Sequence, residues 1–331
     1  MKRVLLTGIG GFVGSHVMSH LLKNTDFEIV GIASWKHKGT PERILEDVNY
    51  ITNKGRVTII THDLSSPLTE ITKKRIGKID CIVNIASDSH VERSISDPVP
   101  FIKNNVNLAL NMLEFAREAK PEIFLQFSTD EVYGPAPEGV DWPEWSPIIP
   151  SNPYSASKAC QEAIAISYWR TYGVPVVITN GMNIFGERQD PEKYLAMCIR
   201  KILKDEKITV HGDKNKIGSR FYIHARNVAD AILFLIKIKP AMYPLSDRPD
   251  RYNIVGEKEV NNLNIAKMIS DILMKPLVYE LDDVHIKRPG HDRRYALSGA
   301  KMKKLGWVPP KDLQKSLKSY VHWTLLNDRW L

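Results

Sequence analysis

Near its N-terminus the chain passes from a buried strand into a helix through a turn built on glycine. The apolar run Arg3-Val4-Leu5-Leu6-Thr7 leads into Gly8-Ile9-Gly10-Gly11-Phe12-Val13-Gly14, after which Val17, Leu21 and Leu22 recur at helical spacing as far as Asn24. Glycines at 8, 11 and 14 permit a tight turn, close approach of the backbone to a bound group, and close packing of helix on strand. The free amides and positive dipole end of such a helix favour a phosphate. A strand, this turn and a helix in that order point to an α/β layer that binds a dinucleotide through Gly8, Gly11, Phe12, Val13 and Gly14.

The following segments repeat the alternation. Strand patterns at 28–33, 56–61, 81–86, 123–127 and 174–180 are separated by helical stretches, notably 101–119, with Ile102, Val106, Leu110 and Leu113 on one face, and 151–172. This predicts an α/β fold with a doubly wound parallel Rossmann-type sheet. After Gly186 the pattern loosens. Short strands at 208–211, 220–223, 252–255 and 277–281 lie among helices at 193–203, 225–238, 264–274 and 313–326, the composition of a smaller C-terminal α/β lobe. The expected division is a dinucleotide-binding domain over 1–186 and a mainly substrate-binding lobe over 187–331, with an approximate boundary and a crossing back near 220–255.

A chain of 331 residues can bury a core of this size. Its net charge of +8 is spread along the sequence, so it suits an anionic small substrate at least as well as a nucleic acid, and no nucleic-acid partner is expected. Cys81, Cys160 and Cys198 are isolated, which suggests neither a disulfide frame nor a metal site and fits a reducing, cytoplasmic setting. No apolar run is long enough for a signal peptide or a membrane span.

The chemistry concentrates between residues 128 and 158. Ser128-Thr129-Asp130-Glu131-Val132-Tyr133-Gly134 begins where the strand at 123–127 ends, and ligands bind at the carboxyl ends of strands in such sheets. Tyr154 and Lys158, four apart, share a face if 151–172 is helical. A positive neighbour lowers a phenol's pKa toward the range of a base. Alone, the tyrosine and lysine read first as an ordinary amphipathic pair, and the carboxylates as a solvated turn; together with the glycine turn they read as a site. Between them, prolines at 135, 137, 143, 147, 150 and 153 make a stiff loop, and Pro153 sets the entry to the helix.

The dinucleotide's ribose is usually held by an acid about 20 residues beyond the glycines, which repels a 2′-phosphate. Here the count reaches Ser34, residues 31–41 carry no carboxylate, and Lys36, His37 and Lys38 follow the strand. This favours NADP over NAD, with Ser34 and Lys36 at the phosphate; the alternative is NAD bound through Ser34, the lysines being solvated loop charges. Asp63, next to Leu64, reads either as an adenine contact or as a turn residue.

With these three segments in hand, the chain resembles the extended short-chain dehydrogenase/reductases acting on nucleotide sugars, and among them the nucleotide-diphosphate-glucose 4,6-dehydratases, dTDP-glucose enzymes above all. Ser89-His90-Val91-Glu92-Arg93-Ser94, residues 180–186, Pro191-Glu192-Lys193 and residues 288–295 also match family stretches. The resemblance implies that Tyr154, helped by Lys158 and Thr129, takes the proton of the sugar C4 hydroxyl while hydride leaves C4 for the nicotinamide. Glu131 then removes the C5 proton and Asp130 protonates the departing C6 hydroxyl. Ser87, His90, Asn183 and Lys193 are implied as contacts of the nucleotide-diphosphate sugar, with Arg220, Arg288 and His291. The family pattern places an Arg-Asp before an aromatic residue where this chain has Gly218-Ser219-Arg220-Phe221-Tyr222, so the arginine is displaced. A homodimer through helices 101–119 and 151–172 is implied as well, against a monomer if their apolar positions are core. The alternatives in function are a nucleotide-sugar 4-epimerase or decarboxylase, which do not need the Asp130-Glu131 pair, and, more remotely, a non-catalytic dinucleotide sensor or scaffold.

Overall fold

The computed structural model describes residues 1–36, 38–212, 216–239, 247–282 and 292–331. Six parallel strands come from the first 181 residues: β1 (Arg3–Thr7), β2 (Glu28–Ala33), β3 (Val57–Thr61), β4 (Cys81–Asn84), β5 (Ile123–Thr129) and β6 (Val176–Gly181). Between them lie α1 (Phe12–Asn24), α2 (Glu42–Leu45), α3 (Val48–Asn53), α4 (Glu70–Ile76), α5 (Val91–Ser96), α6 (Pro98–Ala119) and α7 (Pro153–Tyr172). The second half adds β7 (Ile184–Phe185), α8 (Tyr194–Leu203), β8 (Ile208–His211), β9 (Ser219–Phe221), β10 (Ile223–His224), α9 (Ala225–Ile238), β11 (Asp250–Ile254), β12 (Glu259–Asn261), α10 (Asn262–Leu273), β13 (Tyr279–Asp282), α11 (Ala300–Lys304) and α12 (Leu313–Leu325).

The central sheet has seven strands in the order β11-β6-β5-β4-β1-β2-β3, all parallel. Alternate residues of each strand serve its two faces. Val4, Leu6 and Val83 pack under α1 and α9 with Val17, Leu21, Ile232 and Leu235. Leu5, Ile82 and Phe124 pack under α6 and α7 with Met112, Leu113, Ala165 and Tyr168. Strand order reverses between β1 and β4, and the crevice at that switch is where such sheets bind ligands.

After β7 the chain builds a smaller body in which α8, α10 and α12 enclose Cys198, Ile199, Ile265, Ile269, Leu317 and Val321. It does not stay there: α9 returns to lie against α1, and β11 becomes the edge strand beside β6. The strand expected over 220–223 is two short pieces, since β9 pairs antiparallel with β12 while β10 pairs with β7, and Tyr222 turns between them. The proline loop between Gly134 and Asn152 carries no helix. It is pinned by Arg294, whose guanidinium meets Glu259, Asp141 and the carbonyls of Pro137 and Val140.

Candidate active site

The crevice above the switch point is a cleft of about 420 Å³ running from the glycine turn to the small lobe. At one end, Gly8 adopts φ +68°, and a Cβ on Gly14 would stand 2.1 Å from the Gly8 carbonyl oxygen. Gly11 caps α1 without a side chain, and the first turn holds no acid. The backbone there fits a pyrophosphate: amides are free, nothing negative competes, and no side chain stands between the turn and the helix.

The adenosine end departs from the reading of Lys36 and Lys38 as free cations. Lys36 Nζ lies 2.5 Å from Asp63 Oδ2, and that hydrogen bond, despite partial burial, pulls the Asp63 carboxyl down to about 2. Lys38 pairs with Asp190 at 3.1 Å and with Glu192 at 3.2 Å. Both ammonium groups are thus offset by carboxylates that lie far away in sequence. His37 lies outside the described residues. The Ser34 hydroxyl oxygen accepts from the Lys36 amide at 3.3 Å and lines the cleft, as do Leu64 and Asp63. Trp35, in the left-handed region at φ +56°, lays its ring against Gly10, where a Cβ would come within 2.8 Å of it. Nothing in the local sequence marks Trp35 as part of the site.

At the centre, β5 delivers Ser128 and Thr129 to its carboxyl end and a short 3-10 turn presents Asp130 and Glu131. Thr129 Oγ1 donates to Asp130 Oδ1 at 3.0 Å. Burial pushes the Asp130 carboxyl up to about 7, with the Glu131 charge adding to the shift. Glu131 is also raised by burial, but Asn152, Arg220 and Lys193 draw it back; Asn152 Nδ2 donates to its Oε2 at 3.2 Å. Asn152 is not among the residues that the motifs single out, although an Asn before Pro153 is a helix-start signal. Here it caps α7 by accepting from the Ser155 amide at 2.9 Å while its side chain also holds Glu131. Asp130 Oδ2 and Ser128 Oγ are buried in the wall of the cleft without a hydrogen-bond partner among the described residues. Both are placed to meet a polar group bound in the cleft.

Tyr154 and Lys158 do share a face of α7 and both line the cleft. The expected lowering of the phenol is not found. Burial comes first and the charge of Glu131 second in holding Tyr154 well above the ordinary tyrosine range, against a hydrogen bond with Thr129. Lys158 Nζ donates to the Phe127 carbonyl and to Gln161 Oε1, each at 2.7 Å. Burial draws its own pKa down to about 7, against Glu162.

Of the expected substrate contacts, Ser87, His90, Asn183 and Lys193 line the same cleft. His90 caps α5 and faces Glu192 at 3.2 Å. Arg220 is turned aside: its guanidinium donates to the carbonyls of Ser219, Asp292 and Arg293 and stacks on Tyr295, so it reaches Asp130 and Glu131 only through its field. Arg288 and His291 lie outside the described residues.

The model of the NAD dependent epimerase/dehydratase family matches residues 4–254. The dTDP-glucose 4,6-dehydratase of Salmonella typhimurium is 32% identical over 99% of this chain and 94% of its own length. Among solved structures, the dTDP-glucose 4,6-dehydratase DesIV of Streptomyces venezuelae, with NAD bound, superposes with a TM-score of 0.84 at 30% identity, covering 99% of this chain and 98% of that one. UDP-glucose 4-epimerase of Thermus thermophilus, also with NAD, gives 0.83 at 26% identity over 97% and 98%. Backbone likeness therefore extends equally to enzymes of two different reactions, and the side chains have to separate them.

Proposed function

Because the chain belongs to the NAD dependent epimerase/dehydratase family, we propose that it is a nucleotide-sugar 4,6-dehydratase, converting the hexose of a nucleotide-diphosphate sugar of the glucose type to its 4-keto-6-deoxy form. The observation that carries this reading is the pair at the end of β5. Asp130 is held protonated up to about pH 7 beside Glu131, in the cleft that also holds Tyr154 and Lys158. An epimerase needs the tyrosine and lysine only; elimination of water needs an acid and a base of differing protonation side by side.

When bound, the oxidised nicotinamide accepts a hydride from the sugar C4, returns one at C6, and adds positive charge to the site. Gly8, Gly11 and Gly14 with the α1 amides would hold its pyrophosphate. Tyr154, hydrogen-bonded to Thr129, takes the C4 hydroxyl proton. Its high pKa must first be overcome, and the Lys158 ammonium works in that direction. The C4 ketone acidifies C5, and Glu131, oriented by Asn152, removes the C5 proton. Asp130 gives its proton to the C6 hydroxyl, which leaves as water. The proton on Glu131 goes back to C5, and the proton that Tyr154 took from the C4 hydroxyl makes up, through exchange with solvent, for the one that Asp130 gave to the departing water, so neither dinucleotide nor proton is consumed net. Ser87, His90, Asn183 and Lys193 would contact the sugar nucleotide.

The dinucleotide in this reading is NAD. The expectation of NADP rests first on the absence of a carboxylate over 31–41 and then on the lysines after β2; Asp63 brings a carboxylate to that end of the cleft, and both described lysines are paired with carboxylates. Placing a 2′-phosphate there would set it beside Asp63. Mass spectrometry of the dinucleotide released by denaturation, with titration of emptied protein by both forms, decides this; recovery of NADP alone would reverse it.

Incubation with dTDP-, UDP-, CDP- and GDP-hexoses tests the reaction. One of them should yield a product lighter by one water without net cofactor consumption; a panel returned unchanged or only epimerised would refute the assignment. A homodimer belongs to the same proposal: α6 and α7 pack side by side and leave Val99, Leu110 and Tyr172 exposed. Light scattering that gives a single chain mass at micromolar concentration would reject it. A cytoplasmic setting is proposed from the unpaired Cys81, Cys160 and Cys198. Among the described residues no helix is long and apolar enough to cross a membrane.

A further inference from the structure

A line of buried hydrogen bonds runs beneath the cleft, from the strand that precedes the glycine turn to Lys158. Thr7 ends β1, and its hydroxyl oxygen accepts from the backbone amides of Ile85 and Ala86, each at 3.0 Å. Its own proton therefore goes to Asn84 Oδ1, at 2.8 Å. Asn84 Nδ2 donates to Gln126 Oε1 at 2.9 Å, and Gln126 Nε2 donates to Gln161 Oε1 at 3.0 Å. Gln161 Nε2 donates to the Asn105 carbonyl at 2.7 Å, so its Oε1 is the end that faces Lys158 Nζ, at 2.7 Å. Thr7, Asn84, Gln126 and Gln161 are fully buried.

The sense of this line is set at its two ends. A carboxamide has a donor end and an acceptor end of nearly equal shape, and only its partners decide which way it points. Here the amides of residues 85 and 86 can only donate, and the Asn105 carbonyl can only accept. Flipping any carboxamide between them would put donor against donor in a dry interior, which is costly.

Resting on the reading of Lys158 as catalytic, we propose that Gln161 is a positioning residue for it: its carbonyl oxygen, oriented through Thr7, Asn84 and Gln126, keeps the Lys158 ammonium charged and clamped at the Phe127 carbonyl. Glu162 on α7 acts on Lys158 through its charge; the titratable groups that line the same cleft beside it are Tyr154 on α7, Asp130 and Glu131 after β5, and Asp88 after β4, while α6 contributes the uncharged Asn105, whose carbonyl holds Gln161. Burial has already drawn Lys158 to about 7, so loss of one acceptor is felt within the working range of pH. Its charge would then disappear at a lower pH than in the native chain.

The test follows the lysine itself. The full chain carrying 15N-lysine is titrated by NMR, with the Lys158 Nζ resonance identified by its loss in Lys158→Met. Gln161→Met should lower the Lys158 midpoint by about one pH unit or more, since a hydrogen bond to a charged group is lost. Thr7→Val should lower it by less, and Thr7→Ser, which keeps the hydroxyl, should restore it. The alkaline limb of kcat in sugar turnover should move down by the same interval with KM unchanged. A Gln161→Met midpoint within a few tenths of a unit of the native one would overturn the proposal, whatever turnover does. If Gln161→Met does not fold, the Thr7 pair decides, and equal midpoints for Thr7→Val and Thr7→Ser overturn it. A midpoint that shifts in a protein whose native form dehydrates no nucleotide sugar counts against the proposed reaction and leaves the positioning of Lys158 standing.

Discussion

Arg251 and Glu162, 89 residues apart in sequence, meet at 2.7 Å with neither side chain reaching solvent. The second oxygen of Glu162 accepts from Asn180 Nδ2 at 2.8 Å, and the same amide nitrogen donates to the Thr129 carbonyl at 3.0 Å. The pair thus braces the turn that carries Asp130 and Glu131. Glu162→Gln leaves the Arg251 charge buried and uncompensated and should cost ~3–5 kcal/mol of folding stability. Chemical denaturation of both single variants and the double variant checks this: the double should lose clearly less than the sum of the singles, and simple additivity would show that the two do not act as a pair.

Asp130→Asn and Glu131→Gln should each lower turnover by about 10²–10⁴-fold, the usual contribution of a general acid or base. Oxidation at C4 should survive, so nicotinamide absorbance should rise with sugar in the absence of dehydration. An activity close to native in the doubly replaced protein would identify an epimerase instead.

The same aspartate sets a pH dependence with a definite sign. Its folded pKa of about 7 lies above the unfolded value near 3.8, so the folded state binds more protons between those limits, and its contribution to stability falls as pH rises across them. Asp130→Asn should accordingly be more stable than the native chain at pH 8, by roughly 1–3 kcal/mol, and no more stable at pH 4. As the proton donor, native Asp130 should also give kcat a limb that declines above about pH 7. Parallel denaturation curves at the two pH values, with a pH profile of kcat, measure both effects.

His16 acts in the opposite direction. It lies behind the glycine turn with Nε2 2.8 Å from the Glu187 carbonyl oxygen, and burial, with Arg188 adding, lowers its pKa from 6.5 to about 3. The unfolded chain takes up a proton that the folded one refuses, so this stability is present above pH 6.5 and is lost progressively as pH falls toward 3. His16→Gln, which can still donate to the carbonyl but does not titrate, should flatten the fall in denaturation midpoint between pH 6.5 and 4. An unchanged slope would place the acid sensitivity elsewhere.

Gly14→Ala should empty the dinucleotide site. Its Cβ would have to stand 2.1 Å from the Gly8 carbonyl oxygen, so the turn must open or α1 must shift away from it. The dinucleotide recovered per chain after denaturation should drop well below the native ratio, while Gly55→Ala, where a Cβ meets nothing and the backbone is not left-handed, should leave it unchanged.

What could be read from the amino-acid order was whatever depends on neighbours along the chain. The glycine turn, the Ser128–Glu131 turn at a strand end, and the four-residue step from Tyr154 to Lys158 are local geometry, and backbone sterics and helical period suffice for them. The apolar runs likewise announced the parallel sheet. Tertiary structure alone decided how charges are shared, because the carboxylates that engage Lys36 and Lys38 lie after β3 and after β7, and sequence spacing does not say that those segments meet at the β2 end. It also decided that Tyr154 is raised rather than lowered, since burial of the phenol and the charge of Glu131 outweigh its hydrogen bond with Thr129. The same holds for the line from Thr7 to Gln161: asparagine and glutamine at those positions are unremarkable until strand order sets β1, β4 and β5 side by side beneath α7, where a carboxamide shut off from the solvent surface must find its partners across the sheet.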